Sequence, residues 1–264
     1  MNQPSRTWDD LRPRVITGVA LVAVGIVEIW LGGIWFALLA ALITGIMIWE
    51  LARMTNPDLT AQAVQLGLLT GSAVLLARHL PGIYALPIIA APALVGVSLL
   101  VRHRPIFAAY AVGIALAGYG LTVFRDVYGM LWLYWLVLVV VATDIAGYFG
   151  GKLIGGAKFW PRVSPKKTWA GILCGWVAAA LVGAMFLSIT DAGRDLIWIS
   201  AVLSFASQMG DVAESAVKRK MGVKDSSHLL PGHGGLFDRF DALLGAALFM
   251  LLVALVVDVP ELRF

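Results

Sequence analysis

The sequence predicts an all-α, polytopic membrane protein of about nine transmembrane helices, with a polar site gathered on one side of the bilayer. Three observations predict it. Hydrophobic residues fill 60% of the 264 positions and charged residues only 14%, where a soluble domain carries roughly 25% charged residues. The apolar residues recur in unbroken runs of about 17–25, the length that crosses a bilayer as helix. The ionisable residues, in contrast, are concentrated: five acids and five cations fall between positions 210 and 241. Only helices or closed barrels satisfy the backbone in lipid, and unbroken rather than alternating runs select helices.

In chain order the runs fall at about 15–31, 34–51, 61–78, 82–101, 106–124, 127–149, 171–189, 195–217 and 239–257. The first two are joined by the short turn Leu31-Gly32-Gly33 and form a tight hairpin. The first run continues straight into that hairpin, which argues against a cleavable signal peptide. Residues 1–14, with Trp8 and Arg12, read either as an interfacial helix or as a disordered basic tail. Loop charge sets the orientation. With the N-terminus cytoplasmic and nine spans, 16 of the 20 Lys and Arg residues lie inside, leaving Arg78, Arg125, Arg194 and Arg263 outside. That asymmetry is what the positive-inside rule requires. The expectation is one multi-pass domain, 1–264, in the cell's inner membrane, with spans one to five in 1–124 and the chemistry in 125–264. One cysteine, Cys174, excludes an internal disulfide and a Cys-based zinc cluster. His79, His103 and His228 are loop residues without partners, which argues against a His-based zinc site.

The polar constellations begin with Asp211, Ser215 and Lys218, which share one helical stripe at i, i+4 and i+7, with Glu214 adjoining. Ionisable groups this close to an apolar span face a polar cavity or one another. The stripe reads as a carboxylate metal ligand beside phosphate-binding cations, or as the polar end of a surface helix. Next, Asp238 and Asp241 follow Gly232-His233-Gly234-Gly235. Two carboxylates three apart can share a hard cation, and glycines bring backbone N–H groups close to phosphates. Asp238 alone also suits a helix cap. His233 reads as ligand, acid–base group, phosphate donor or structural hydrogen bonder.

Asp144 heads the segment Asp144-Ile-Ala-Gly147-Tyr-Phe-Gly-Gly151 at the end of span six. Gly147, Gly151 and Gly155 form a small-residue stripe suited to close helix packing. Ser164-Pro165-Lys166-Lys167-Thr168 opens span seven and reads as an anion site at a helix start, or as topology control by lysines. Glu28 and Glu50 lie nearer span ends and receive no catalytic role. No P-loop, dinucleotide-binding glycine motif or H-E-x-x-H occurs, so any phosphate site is of another kind.

The run Ser215-x-x-Lys218-Arg219-x4-Lys224-Asp225 … Pro231-x-His233-Gly234-Gly235-x-x-Asp238-Arg239-x-Asp241 resembles the signature of the phosphatidate cytidylyltransferases, the CDP-diacylglycerol synthases. The likeness spans about 27 residues at fixed spacing and extends to the Asp144 and Ser164–Thr168 segments. Where relatives commonly read Thr-Trp-Glu-Gly, this chain has Thr168-Trp169-Ala170-Gly171. The resemblance implies CTP and phosphatidic acid as substrates, CDP-diacylglycerol and pyrophosphate as products, and Mg²⁺ held by Asp211 and Asp238; our own assignment adds Asp241 and Asp144 as supporting or completing the metal centre. The resemblance also implies a monovalent cation such as K⁺ as assistant. Substrate contacts fall to Ser164, Lys166, Lys167, Thr168, Ser215, Lys218, Arg219, Lys224, His233, Gly234, Gly235 and Arg239. A homodimer is left open, and nucleic acid has no place in this chemistry. Competing readings are a CTP-dependent lipid kinase, a synthase for another lipid phosphate, and an ion-coupled transporter.

Overall fold

The structure is a computed structural model and describes residues 11–230 and 234–256, apart from the side chains of residues 11–16 and 82. Nine α-helices occur among the described residues: α1 (Leu11–Leu31), α2 (Gly33–Thr55), α3 (Thr60–Ala77), α4 (Gly82–Leu99), α5 (Arg104–Tyr128), α6 (Met130–Leu153), α7 (Trp169–Ile189), α8 (Leu196–Met221) and α9 (Phe237–Ala254). Each apolar run becomes one helix, because helix is the form in which such a run satisfies its own backbone. Six of them, α2, α3, α5, α6, α7 and α8, are long and apolar enough to cross a membrane. Thr17–Leu31 and Ile83–Leu99 are shorter apolar helices, and α9 carries Asp238, Arg239 and Asp241 in its first five residues. The protein is therefore a membrane-embedded helical protein.

One element departs from the all-α expectation. β1 (Lys158–Trp160) pairs antiparallel with β2 (Ser164–Thr168), Lys158 opposite Thr168 and Trp160 opposite Ser164. The segment Ser164–Thr168 therefore does not open a helix. α7 begins at Trp169, with Thr168 as its N-cap accepting a hydrogen bond from Gly171 N. Strand geometry sends successive side chains to opposite faces, which separates Lys166, exposed, from Lys167, half-buried.

Packing runs in sequence through the C-terminal half, α6 on α7, α7 on α8 and α8 on α9. In the N-terminal half α2 packs on α3 and α5, and α4 on α3 and α5. Contacts of α9 with α5 and α2 join the halves. Sequential antiparallel packing gives the bundle two ends. At one, Asn56 after α2 accepts from Val101 N and Arg102 N after α4. At the other, Arg125 donates to Ile29 O, and Arg78 pairs with Asp126 at 2.7 Å. The ribbon and the loop residues 222–230 and 234–236 belong to the first end, with the C-termini of α2, α6 and α8 and the N-termini of α7 and α9.

Two close approaches set the spacing there. A Cβ on Gly147 would meet Gly171 O at 3.4 Å, so the glycine stripe does pack α6 against α7. Gly155 is not part of that stripe: it lies beyond α6, at φ +68° with open space around it. On α8 and α9, a Cβ on Gly245 would lie 2.8 Å from Gly210 Cα, and one on Gly210 would lie 3.0 Å from Gly245 Cα. The two backbones touch there, one residue before Asp211 and four after Asp241.

Candidate active site at one end of the bundle

The contact between Gly210 and Gly245 decides which acids meet. Asp211 and Glu214, on one stripe of α8, present carboxylate oxygens that lie with one from Asp241 of α9 within 4.8 Å of one another. Glu214 is buried; Lys218 Nζ lies 2.8 Å from its Oε2 as an ion pair, and beyond that pair neither oxygen has a hydrogen-bond partner among the described residues. Asp241 accepts a hydrogen bond from Ala242 N at 2.8 Å. Asp144, exposed on α6, lies within electrostatic reach of Asp211 and Lys167.

Lys167 reaches in from the end of β2. Its ammonium pairs with Asp211 Oδ2 at 2.7 Å and donates to Gln208 O at 3.1 Å. Ser215 donates to Asp211 Oδ1 at 3.3 Å. Gln208 is itself fixed, accepting from Trp176 Nε1 and donating to Ile172 O.

Asp238 belongs to a different arrangement from Asp241. Lys218 donates to its Oδ1 at 2.8 Å; Ser226 N, Ser226 Oγ and Gly235 N donate to its Oδ2 at 2.9, 3.1 and 2.8 Å. The pair three apart at the helix start is thereby divided. Asp241 joins the α8 acids, and Asp238 fastens the loop and Lys218. Gly235 N is spent on Asp238 rather than presented to a ligand, and Gly234 closes a bridge with Leu230. Lys218 links both arrangements, since its Nζ lies 2.8 Å from Glu214 as well as from Asp238.

Arg219, Lys224, Lys166 and Arg239 are exposed, and Ser164 is half-buried on the ribbon. Thr168 is engaged as the α7 cap. His233 lies outside the described residues.

Two residues escaped the sequence reading. The sequence reading gives Glu214 no ligand role, although its place on the Asp211 stripe carries the signal. Glu50 was set aside, yet it is fully buried and receives hydrogen bonds from Ser227 Oγ, Leu236 N and Phe237 N. The available signal was the cost of an acid inside an apolar run, the same argument that singled out Asp144.

Chemically, the arrangement sets five carboxylates (Asp144, Asp211, Glu214, Asp238, Asp241) against two paired ammonium groups, Lys167 and Lys218. A set of donors made only of carboxylate oxygens suits a hard cation.

Comparison with known proteins agrees with this chemistry. The model of a family described as the cytidylyltransferase family matches residues 12–257. A phosphatidate cytidylyltransferase of Brucella suis is 35% identical over 272 residues, covering 96% of each chain. One of Bacillus subtilis is 31% identical, covering 89% of this chain and 94% of its own. One of Helicobacter pylori is 41% identical over 128 residues, 48% of this chain and 47% of its own. A match over nearly the whole length, rather than over the signature alone, shows that this chain belongs to the cytidylyltransferase family.

Proposed function

We propose that the protein is a membrane-embedded nucleotidyltransferase that condenses CTP with phosphatidic acid, giving CDP-diacylglycerol and pyrophosphate for phospholipid biosynthesis. The observation that carries the reading is the junction of Asp211, Glu214 and Asp241, flanked by Lys167 and Lys218, in a chain of this family. An oxygen of the lipid phosphate attacks the α-phosphorus of CTP, and the bond from that phosphorus to the β-phosphate oxygen breaks. The attacking group is itself a phosphate monoester, so no covalent enzyme intermediate is needed.

The obstacle is repulsion between two anions. The residues fit a divalent cation on one observation of the site: beyond the Lys218 pair, Glu214's buried oxygens lack hydrogen bonds beside two further carboxylates. Asp211, Glu214 and Asp241 would hold Mg²⁺, with Asp144 nearby. When bound, the ion supplies neutralisation and polarisation of phosphate oxygens. The family likeness names Asp238 as a ligand; that role requires it to give up Lys218 or its loop donors, and a K⁺ assistant rests on the likeness alone. Lys167 and Lys218 are held at fixed points and draw phosphates toward the acids. Arg219, Lys224 and Arg239 stand exposed at the rim to bind the triphosphate. We also place all nine helices across the inner membrane with the site facing the cytoplasm, because 16 of 20 Lys and Arg residues then lie on that side.

The test is turnover by the purified chain with phosphatidic acid, Mg²⁺ and CTP labelled at the α- or γ-phosphate. The α label is expected in the lipid, with pyrophosphate released. A γ label in the lipid indicates a kinase, and an ion current without CTP in liposomes indicates a transporter. Asp211→Ala is expected to abolish transfer; a normal rate in that variant would defeat the metal assignment.

A further inference from the structure

The buried acid of α2 points to a task in the other half of the molecule. Glu50 is 0% exposed. Its carboxylate accepts from Ser227 Oγ at 2.5 Å, Leu236 N at 3.0 Å, Phe237 N at 2.6 Å and Ser226 Oγ at 3.4 Å. Leu236 N and Phe237 N are end amides of α9, which no turn of the helix can satisfy. An anion at a helix start is further favoured by the dipole. Ser226 is shared: its hydroxyl also lies 3.1 Å from Asp238, and its N–H donates to that residue. Phe237, fully buried, belongs to the same apolar cluster as Ile48 and Leu51 beside Glu50. A buried carboxylate with this many donors is over-determined in position.

We propose that Glu50 is a positioning residue: it locks Ser226, Ser227 and the first turn of α9 onto α2, and so sets where Asp238 and Asp241 stand relative to α8. Asp241 lies about one turn beyond Asp238, so a tilt or slip of that first turn changes its place relative to Asp211. The clamp also occupies the α9 end amides, leaving phosphate binding to the cationic side chains. This inference rests on the nucleotidyltransferase reading for its kinetic arm and on the fold alone for its exchange arm.

The experiment compares the full-length wild type with Glu50→Gln, Ser227→Ala and the double variant in detergent, by steady-state kinetics and by hydrogen–deuterium exchange. Gln keeps the shape but brings an N–H₂ against N–H donors. Glu50→Gln is expected to lower kcat on the order of 10- to 100-fold with the KM for CTP within about threefold, because geometry rather than substrate contact is lost. Ser227→Ala, which removes one donor of several, is expected to cost about three- to tenfold. The double variant should be little worse than Glu50→Gln, since both act through one carboxylate. Exchange should quicken within 226–237 and not in the other helices. Normal kcat in both single variants, or exchange that rises evenly across the bundle, overturns the proposal. If Glu50→Gln does not fold, Ser227→Ala decides by the same two readouts. If the wild type forms no CDP-lipid, the functional reading fails, and localised exchange still supports or overturns the clamp.

Discussion

Lys218→Met isolates the charge balance of the site. Its Nζ lies 2.8 Å from Glu214 Oε2 and 2.8 Å from Asp238 Oδ1, and those acid side chains are 1% and 4% exposed. At an effective dielectric near 20, each contact is about 6 kcal/mol of gross attraction. Desolvation of all three groups offsets most of it, so the informative quantity is the cost of removing one partner, about 3–5 kcal/mol. Asp238 would keep the donors from Ser226 and Gly235, whereas Glu214 would keep none. The penalty therefore falls mainly on Glu214. The single variant should unfold at a clearly lower temperature in detergent and lose at least about 100-fold in CDP-lipid formation. Adding Glu214→Gln removes the stranded charge; the double variant should regain most of the stability and none of the activity. A double variant as unstable as the single, or a single with unchanged melting, would refute the reasoning.

Three further outcomes follow from the same geometry. Gly245→Ala should cost about 1–3 kcal/mol by overpacking, because its Cβ meets the Gly210 backbone at 2.8 and 3.0 Å; the activity loss should exceed what melting accounts for, since α8 and α9 carry the two sides of the acid group. Chelation of divalent ions should abolish CDP-lipid formation reversibly on Mg²⁺ return, and Asp241→Asn should raise the Mg²⁺ concentration for half-maximal rate at least about tenfold; an unchanged Mg²⁺ curve would remove Asp241 from the ligand set.

The helices were legible because lipid leaves an apolar run few alternatives, and the nine expected runs correspond one for one to α1–α9. The β1–β2 ribbon was not, since three- and five-residue strands inside a polar loop have no period to read. That omission misplaced the two lysines on one helix turn. The division of Asp238 from Asp241 was hidden for another reason. It depends on Gly210 meeting Gly245 and on donors of which half, Ser226 N and Gly235 N, are backbone N–H groups that side-chain identity does not reveal. Glu50 was the hardest to read: its partners lie 176–187 positions away, two of them backbone amides. Side-chain spacing reveals sites built on one helix, and fails where an acid in one half recognises the backbone of the other.

The depth of the acids fits the two kinds of substrate. Asp211 stands ten residues before Met221, the last residue of α8, about 15 Å along the helix axis. The apolar run of α8 stops just before it, at Met209, while the exposed cations Arg219, Lys220 and Lys224 cluster at the helix end and beyond. Under the proposed function, a triphosphate arriving from water would meet those cations before the acids, and a lipid phosphate tethered to its acyl chains would have to reach the level of the acids from the bilayer side. On that reading the acids would stand where an aqueous anion and a membrane anion can be brought together, which is the requirement a nucleotidyl transfer to a lipid imposes and a wholly exposed or wholly buried site would not meet.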